Sequence, residues 1–472
     1  MSTAILWFRR DLRLADHPAL VAACAQHQRV LPLYIHAPDE EGEWRAGSAS
    51  RWWLHRSLAA LDDAWHRRGG ELHLRQGRSL PVLLDLLRQT GASAVYWSRL
   101  YEPAALERDR QLKAALREQG IEAHSFHGPV WREPWQIATR QGEPYRVFTP
   151  YWRNLRAQLD VQAPLPVPTA LLCLRTSGGA RLEDLSLRPR INWDGGLRET
   201  WTPGEQGAHE QLELFVDDAL TDYAQARDLP ARHGTSRLSP HLHFGEITPR
   251  QIHYDLHALT QRREPKRQPD LEPFLRELGW REFAQHLLYH FPTTPAADFN
   301  PRFAGFRWAP ADEAQLQRWR TGRTGIPLVD AGMRELWHTG WMHNRVRMIV
   351  ASFLTKNLRQ HWQHGARWFW DTLVDADLAN NTLGWQWVAG CGADAAPYFR
   401  VFNPLTQARK FDPDGHYLRR WLPELADVPT ALLHEPWRDP TRLAHCGYPA
   451  PMVDLSASRQ QALAAYRALQ GG

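Results

Sequence analysis

The sequence contains no long apolar segment. Nowhere in its 472 residues do eighteen apolar residues follow one another, which is the length a membrane-spanning helix needs. The short apolar stretch at residues 4–8 is followed, not preceded, by arginines, so it lacks the order of a secretory signal. We therefore expect a protein with no membrane segment and a cytoplasmic location.

Cysteine is also scarce. The chain has four cysteines, Cys24, Cys173, Cys391 and Cys446, and no two are close in sequence. Zinc sites and disulfide frameworks both need clustered or regularly spaced cysteines. We therefore expect reduced thiols and no bound metal.

What the chain has in excess is tryptophan and a modest positive charge. It contains 23 tryptophans, and its formal net charge is +5 with a pI near 9.1. Most of the tryptophans must serve packing, because indole buries a large area, but a few could stack on flat ligands or on bases. The charge is compatible with a polyanionic partner without requiring one.

The first 130 residues alternate between two periodicities. Short apolar runs at 5–8, 30–35, 72–74 and 94–97 predict strands, and helical patterns at 49–68, 80–90 and 104–119 lie between or after the later runs. This alternation predicts a doubly wound α/β domain with a parallel sheet. Such folds bind flat ligands beyond the carboxyl ends of their strands, although no G-x-G-x-x-G or Walker A sequence follows any of these runs.

The rest of the chain changes character twice. Prolines and paired glycines interrupt residues 131–200, so we expect a long interdomain connector there. Residues 201–472 show helical periodicity, with predicted helices at 205–227, 249–262 and 271–290, and form a predicted all-α domain.

One predicted helix carries an unusual polar beginning. Its apolar stripe is formed by Val346, Ile349, Val350, Phe353, Leu354 and Leu358. Asn344, Arg345 and Met348 stand off that stripe, which indicates that the helix lines a cavity; taken alone, Arg345 and Arg347 could equally be solvated surface charges. Trp385 and Trp387, two residues apart on a later helix, should face different surroundings.

Six motifs, in one order, identify a resemblance. The chain resembles the DNA photolyases that repair cyclobutane pyrimidine dimers, within the photolyase and cryptochrome family. The motifs are WFRRDLR at 7–13, TSRLSP at 235–240, ELGWREF at 277–283, GWMHNRVRM at 340–348, DADLANNTLGWQW at 375–387 and YFRVFNP at 398–404.

The resemblance implies FAD as the cofactor of the helical domain. It implies that the segment 235–239 grips the pyrophosphate, that Asp375 pairs with Arg347 beside the flavin ring, and that Asn381 faces a ring nitrogen. Read without the resemblance, 235–239 would be an ordinary helix cap. The implied cofactor-binding residues are Tyr223, Thr235, Ser236, Arg237, Leu238, Ser239, Phe274, Arg281, Asn344, Arg347, Asp375, Ala376, Asp377 and Asn381.

The resemblance further implies UV-damaged DNA as the partner of a monomeric enzyme. Glu277 would hydrogen-bond the damaged pyrimidine and Trp280 would pack on it. The implied lesion and DNA residues are Arg227, Glu277, Trp280, Asn344, Arg345, Met348, Trp387, Arg400 and Gln407. The implied catalytic set is Glu277 and Asn381 together with Trp308, Trp362 and Trp385, which match an electron relay to the flavin but could also be three core tryptophans.

The resemblance implies an antenna pigment in the α/β domain. Many relatives of the folate type carry Asn-Glu shortly after a Tyr-Glu pair, whereas Tyr101-Glu102-Pro103 is followed here by two alanines. We expect 5,10-methenyltetrahydrofolate, with a deazaflavin or no antenna as alternatives.

Two other functions stay open at this point. A cryptochrome photoreceptor would keep the flavin site, and the sequence Asp375-Ala376-Asp377 is close to that of plant cryptochromes. A repair enzyme for (6-4) photoproducts is the second alternative, but those relatives carry histidine where this chain has Asn344 and Met348.

Overall fold

The computed structural model describes residues 2–169, 172–261, 269–395 and 399–470. Two compact units are defined by their internal contacts. The first unit comprises Met1–Asp194, Trp201–Asp217 and Ser236–Pro292, and the second comprises Gly195–Thr200, Asp218–Thr235 and Thr293–Gly472. Residues 201–217 and 236–292 thus group with the α/β part, while the division into domains at 1–130, 131–200 and 201–472 stays a prediction. Tyr398 of the last motif lies outside the described residues.

The first unit contains the expected parallel sheet. Its strands are β1 Thr3–Phe8, β2 Arg29–His36, β3 His73–Gln76, β4 Ala94–Ser98 and β5 Glu122–Phe126, in the order β3-β2-β1-β4-β5. All four pairings are parallel, and every residue of the central β1 is buried. The predicted α/β class is confirmed.

Strand β5 was not predicted from the sequence. Its residues Glu122 to Phe126 lie at one edge of the sheet, and only Ala123 is buried. An edge strand that is half open to solvent needs no continuous apolar run, and the apolar run that marks the other four strands is absent here.

Helices make up most of the remaining structure. They are α1 Pro18–Gln26, α2 Ser48–His66, α3 Ser79–Thr90, α4 Pro103–Glu118, α5 Phe148–Ala157, α6 Gly195–Thr200, α7 Glu205–Asp218, α8 Tyr223–Ala226, α9 Ser239–His243, α10 Pro249–Gln261, α11 Glu272–His290, α12 Glu313–Arg320, α13 Pro327–Thr339, α14 Asn344–Ser352, α15 Trp362–Thr372, α16 Leu378–Ala389, α17 Pro404–Phe411, α18 His416–Trp421, α19 Thr430–Leu433, α20 Pro440–Cys446 and α21 Leu455–Gln470. No described helix is long and apolar enough to cross a membrane.

The predicted connector at 131–200 is not irregular throughout, which corrects the expectation. Helix α5 lies inside it, and its buried residues Phe148, Tyr151, Trp152 and Leu155 follow the i, i+3, i+4, i+7 spacing of an amphipathic helix. The prolines that argued against a helix, at positions 164, 166, 168 and 189, all follow its last residue, Ala157, by seven or more positions, so they do not interrupt it.

The core of the second unit surrounds helices α13 to α16. The apolar stripe of α14 is buried as predicted, with Val346, Ile349 and Val350 fully enclosed. After Ser352 the chain continues as a π-helical turn, Phe353–Asn357. Such turns inside helices are frequent at functional sites.

A buried histidine of the first unit makes its stability depend on pH. His286 on α11 donates from Nδ1 to the carbonyl of Pro134 (3.0 Å) and accepts at Nε2 from the amide of Tyr145 (3.0 Å). Burial lowers the pKa of His286 from 6.5 to about 4. The unfolded chain therefore binds this proton at a higher pH than the folded chain does, and the free energy of unfolding should fall as pH drops from 6.5 towards 4.

Urea unfolding at about pH 7.5 and about pH 5 measures this dependence. We expect a lower midpoint at the acidic pH, and a smaller difference between the two midpoints in His286→Gln. His66, a histidine with 55% of its side chain exposed, provides the control His66→Gln. An equal pH dependence in wild type and His286→Gln would contradict the assignment.

Candidate active site

The beginning of α14 holds a buried ion pair. Arg347 donates from Nε to the carbonyl of Met342 (2.7 Å) and from a terminal nitrogen to Oδ2 of Asp375 (2.8 Å). The Asp375 side chain is 4% exposed, against 25% for Arg347. Because a buried carboxylate needs a charged partner, Arg347 fixes the loop before α16 against α14. The pair implied by the resemblance is present, and its place beside a flavin stays a prediction.

The first turn of α16 is organised by two amide side chains. Asp377 caps the helix and accepts from the backbone nitrogen (2.9 Å) and the side-chain nitrogen (2.7 Å) of Asn380. Asn381 donates from Nδ2 to the carbonyl of Ala366 on α15 (3.0 Å). With that nitrogen engaged, the carboxamide oxygen of Asn381 is the atom left to accept a hydrogen bond from a ligand.

The three tryptophans of the predicted relay lie in one unit. Trp385 and Trp362 are buried in the core of the second unit, and Trp308 packs against that core. A side chain at Gly365 of α15 would meet the Trp385 ring at 2.0 Å, so the indole of Trp385 lies directly on the helix that begins with Trp362.

His361 lies next to two members of this set, Trp362 and Trp308. Its ring centroid is 5.6 Å from that of Trp362 and 5.0 Å from that of Trp308. Trp385 thus packs on α15, the helix that begins with Trp362, and His361 lies between Trp362 and Trp308. Whether they carry electrons stays a prediction, since the same burial would also suit core tryptophans.

Arg345, expected at the lesion, is held by neighbours on two other segments. A terminal nitrogen donates to Oδ2 of Asp228 (2.8 Å), and the guanidinium lies 4.6 Å from the centroid of the Phe411 ring. Asn344, the first residue of α14, is exposed, while Met348 is half buried against the core. The three residues lie in the first half of α14, and Asp228 and Phe411 hold the Arg345 side chain in one orientation; their contact with a lesion stays a prediction.

A second aromatic wall forms around Trp387. The guanidinium of Arg400 lies 5.5 Å from the centroid of the Trp387 ring. Phe402 stacks on Trp387 at 6.5 Å with an angle of 28° between the rings. Cation and ring together make a surface on which a flat base can stack.

Two further residues predicted to bind DNA lie in the same unit. The Arg227 guanidinium lies 5.5 Å from the centroid of the Tyr223 ring, and Oε1 of Gln407 is buried with no partner among the described residues.

The remaining lesion candidates lie on α11 in the first unit. Trp280 stacks on Phe148 with centroids 3.7 Å apart and rings 10° from parallel. Glu277, one turn earlier, is half buried. Phe274 is buried against Phe215, with centroids 4.7 Å apart. Trp280 is thus fixed in one orientation by a connector residue, which explains why α5 is needed at this place.

Arg281 is engaged by the backbone. Its guanidinium donates to the carbonyls of Pro129 (2.8 Å) and Leu242 (3.2 Å). These bonds tie α11 to the end of α9 and to the segment that follows β5. A direct bond from Arg281 to a cofactor stays a prediction. In the structure, Arg281 holds the backbone at Pro129 and Leu242 in position.

The segment 236–239 adopts a strained turn in the first unit. Arg237 has a positive φ of 53°, uncommon for a residue with a side chain, and its guanidinium lies 4.6 Å from the Trp201 ring. The backbone nitrogen of Leu238 donates to the Ser236 hydroxyl at 3.4 Å, and no side chain caps the short helix α9. The described structure therefore does not contain the ordinary side-chain cap that the sequence of this segment could have formed. The pyrophosphate role stays a prediction, as does that of Thr235, which belongs to the second unit.

The order in which successive strands are added to the sheet reverses between β1 and β4. Doubly wound folds bind ligands at this point, beyond the carboxyl ends of the strands. Arg9, just after β1, pairs with Asp109 (2.7 Å) and donates to the carbonyl of Ser98. The next residue, Arg10, pairs with Glu102. Two ion pairs thus occupy the carboxyl ends of β1 and β4, and the nature of any antenna stays open.

Metal chemistry finds no support in the described part of the chain. There, no three histidine, cysteine or acidic side chains are grouped so that they could hold a metal ion. All four cysteines are free.

Comparison with known proteins defines the class. Residues 4–169 match the family model described as DNA photolyase, and residues 274–468 match the FAD binding domain of DNA photolyase. A deoxyribodipyrimidine photo-lyase of Agrobacterium fabrum is 44% identical over 475 residues, covering 99% of this chain and 98% of that protein. Cryptochrome-2 of Arabidopsis thaliana is 40% identical over 97% of this chain and 77% of its own length.

A solved structure agrees with the sequence relatives. The crystal structure of a bacterial class III photolyase from Agrobacterium tumefaciens is similar with a TM-score of 0.94 and 44% identity, covering 100% of this chain and 98% of that one. Fold and sequence thus define a flavoprotein with an α/β part and a helical FAD-binding domain. The chain belongs to the DNA photolyase and cryptochrome family.

Proposed function

We propose that this chain repairs cyclobutane pyrimidine dimers in DNA under blue light, by electron transfer from reduced FAD. The observation that carries the proposal is the similarity to a deoxyribodipyrimidine photo-lyase along almost the whole of both chains. The absence of histidine at 344 and 348, where (6-4) repair enzymes carry it, favours the cyclobutane dimer as substrate.

Residues of α14 and α16 offer the groups that a flavin ring would need. A ring edge that carries both N–H and carbonyl groups needs acceptors and donors, and the carboxamide oxygen of Asn381 is an acceptor while the Arg347 guanidinium is a donor. When bound in its reduced form, FAD supplies a light-excited electron donor. Asn381 would accept from a ring N–H, and Arg347 would place positive charge near the ring while Asp375 holds it in position.

Aromatic and cationic side chains would receive the damaged bases. Photolyases are among the enzymes known to flip the target base out of the duplex, which requires apolar and aromatic walls in place of lost stacking. In the second unit Trp387 with Arg400 offers such a wall, and in the first unit Trp280 on Phe148 offers another. Arg227 and Arg400 would bind phosphates without regard to sequence.

Replacing Glu277 with alanine tests the assignment of the pyrimidine contact. Losing one hydrogen bond to the lesion should slow dimer splitting by roughly tenfold while the flavin content is unchanged. Repair of a thymine-dimer oligonucleotide under blue light gives the rate, and absorbance gives the flavin content. Glu213→Ala, which removes an exposed acid on α7, should leave both unchanged. Loss of flavin from Glu277→Ala would show that this side chain has a different place.

We also propose an antenna in the α/β part, with 5,10-methenyltetrahydrofolate as the first candidate. The doubly wound topology supports a flat ligand beyond the carboxyl ends of its strands. Mass spectrometry of pigments released from the purified protein would identify a folate or a deazaflavin. Release of FAD alone would contradict the antenna proposal.

A cryptochrome-type photoreceptor is the second candidate, supported by the similarity to Cryptochrome-2 along most of this chain. One assay separates the two functions: the purified protein is incubated with a thymine-dimer oligonucleotide in blue light and in darkness. Restored thymines only in the light support the repair enzyme. Bound flavin that responds to light without any repair supports the photoreceptor.

A further inference from the structure

The buried indole of Trp362 makes a polar contact with an acidic residue of a loop. Its indole nitrogen donates a hydrogen bond to Oδ1 of Asp298 at 2.9 Å. The Trp362 side chain is 1% exposed, while Asp298 is half buried. A half-buried carboxylate thus lies in direct contact with the buried middle member of the predicted relay, where solvent screens its charge less than at the protein surface.

Asp298 is held there by a buried glutamine. Gln386, which is 1% exposed and lies between Trp385 and Trp387 on α16, accepts at Oε1 from the amide of Phe299 (2.8 Å). Its Nε2 donates to the carbonyls of Thr294 (2.7 Å) and Ala297 (2.9 Å). The segment 294–299 has no helix or strand of its own, and the three bonds from Gln386 help to hold it, together with a bond from Gln363 to the carbonyl of Ala296.

Two further side chains face Asp298. Burial and the contact with the Asp298 carboxylate together raise the pKa of the Cys391 thiol well above its usual value, and that thiol is hydrogen-bonded to Asp298. His361, whose ring lies next to both Trp308 and Trp362, is also within electrostatic reach of Asp298, although burial is the larger effect and lowers the pKa of the histidine. The carboxylate is thus in contact with the indole of Trp362 and the thiol of Cys391.

We propose that Asp298 is a positioning residue for electron transfer through Trp362, and that its carboxylate stabilises the positive charge that Trp362 carries after giving up an electron. The inference rests on the proposed light-driven function. In the flavin-loaded chain under blue light, Trp385 would give one electron to the oxidised flavin, Trp362 would pass one electron to Trp385 and receive one from Trp308, and an external thiol reductant would restore Trp308. The indole nitrogen of Trp362 keeps its proton, which stays in the hydrogen bond to Oδ1 of Asp298, so only electrons move and no covalent bond is made or broken.

Asp298→Asn tests the charge and keeps the shape, because the carboxamide retains an oxygen that can accept from the indole. The experiment uses the flavin-loaded full chain with oxidised FAD and dithiothreitol under blue light. We expect flavin reduction to slow by roughly tenfold, since a carboxylate next to a cation is worth at least that much inside a protein. Transient absorption should show oxidised tryptophan decaying faster, because the electron returns more readily to an unstabilised Trp362.

Matched variants separate this role from a purely structural one. Asp414→Asn, which alters an exposed acid of the same unit, should leave the rate unchanged, and Asp298→Glu should restore part of it. Combined with Trp362→Phe, Asp298→Asn should have no further effect. Wild-type photoreduction and an unchanged tryptophan signal in Asp298→Asn would overturn the proposal, as would an additive loss in the double variant.

Chemically reduced enzyme distinguishes this proposal from the proposed repair function. Protein reduced with dithionite does not need the relay, so Asp298→Asn in that state should repair dimers at the wild-type rate. Slow repair by the chemically reduced variant would overturn the inference, because it would place Asp298 in repair itself. Failure of reduced wild-type protein to repair would refute the repair function, while the photoreduction experiment would still decide the role of Asp298.

Discussion

Replacing Arg347 with leucine is expected to reduce the free energy of unfolding by about 3 kcal/mol and to abolish flavin retention. The Asp375 side chain is 4% exposed and accepts from Arg347 at 2.8 Å. Removing the guanidinium leaves a buried carboxylate without its cationic partner, which costs far more than the pair itself contributes. Leucine also loses the bond to the carbonyl of Met342. Urea unfolding gives the energy, and the flavin absorbance of the purified variant gives the retention.

A second ion pair of the same unit serves as the control. Arg334 makes two bonds to Glu424, at 2.7 and 2.9 Å, but both side chains are about a quarter exposed, 26% and 23%. Solvent screens that pair, so Arg334→Leu should cost only about 1 kcal/mol and should leave flavin bound. Arg347→Lys, which keeps the charge, should lie between wild type and Arg347→Leu. Equal losses in Arg347→Leu and Arg334→Leu would contradict the argument from burial.

Opposite effects are expected from the same substitution at two glycines near Trp385. A side chain at Gly365 on α15 would lie 2.0 to 2.5 Å from three atoms of the Trp385 ring, whereas one at Gly384 on α16 would meet no atom within 4 Å. Gly365→Ala must therefore displace the buried indole or separate the helices, at a cost of about 3 kcal/mol. Gly384→Ala should stabilise the protein by about 0.5 to 1 kcal/mol, because alanine is the better helix former.

Thermal and urea unfolding of the two variants measure this contrast. Because Gly365 sets the approach of Trp385 to the helix that carries Trp362, Gly365→Ala should also slow photoreduction of bound flavin. Gly384→Ala should photoreduce at the wild-type rate. A Gly365→Ala variant as stable as wild type would mean that the indole can move without cost, and the close packing inferred here would be wrong.

Several features of the site could be predicted because they are local. The apolar stripe of α14 follows from the spacing of Val346, Ile349 and Val350, which places them on one face of a helix. The Arg347–Asp375 pair joins residues 28 positions apart, so no local pattern predicts it; it was implied by the resemblance alone and is present at 2.8 Å. By contrast, α5 was missed although its residues follow the same periodicity, since nearby prolines and glycines suggested an irregular connector.

Contacts between distant segments could not be predicted in this way. Asp298 was one acid in a loop, and nothing in its neighbourhood marks it as the partner of Trp362, 64 positions further along the chain. Gln386 was equally unmarked, although it stands inside a recognised motif. Phe148 and Trp280 stack across a separation that no short pattern encodes.

By itself the sequence determined the family, the α/β class of the first part and the helical nature of the rest, because motifs and periodicity are properties of neighbouring residues. Only the tertiary structure decided which side chains meet: Asp298 with Trp362, Trp280 with Phe148, and Gly365 with the ring of Trp385. The physical reason is that periodicity fixes the face on which a residue lies, whereas its partner across the core depends on how whole helices and loops pack together.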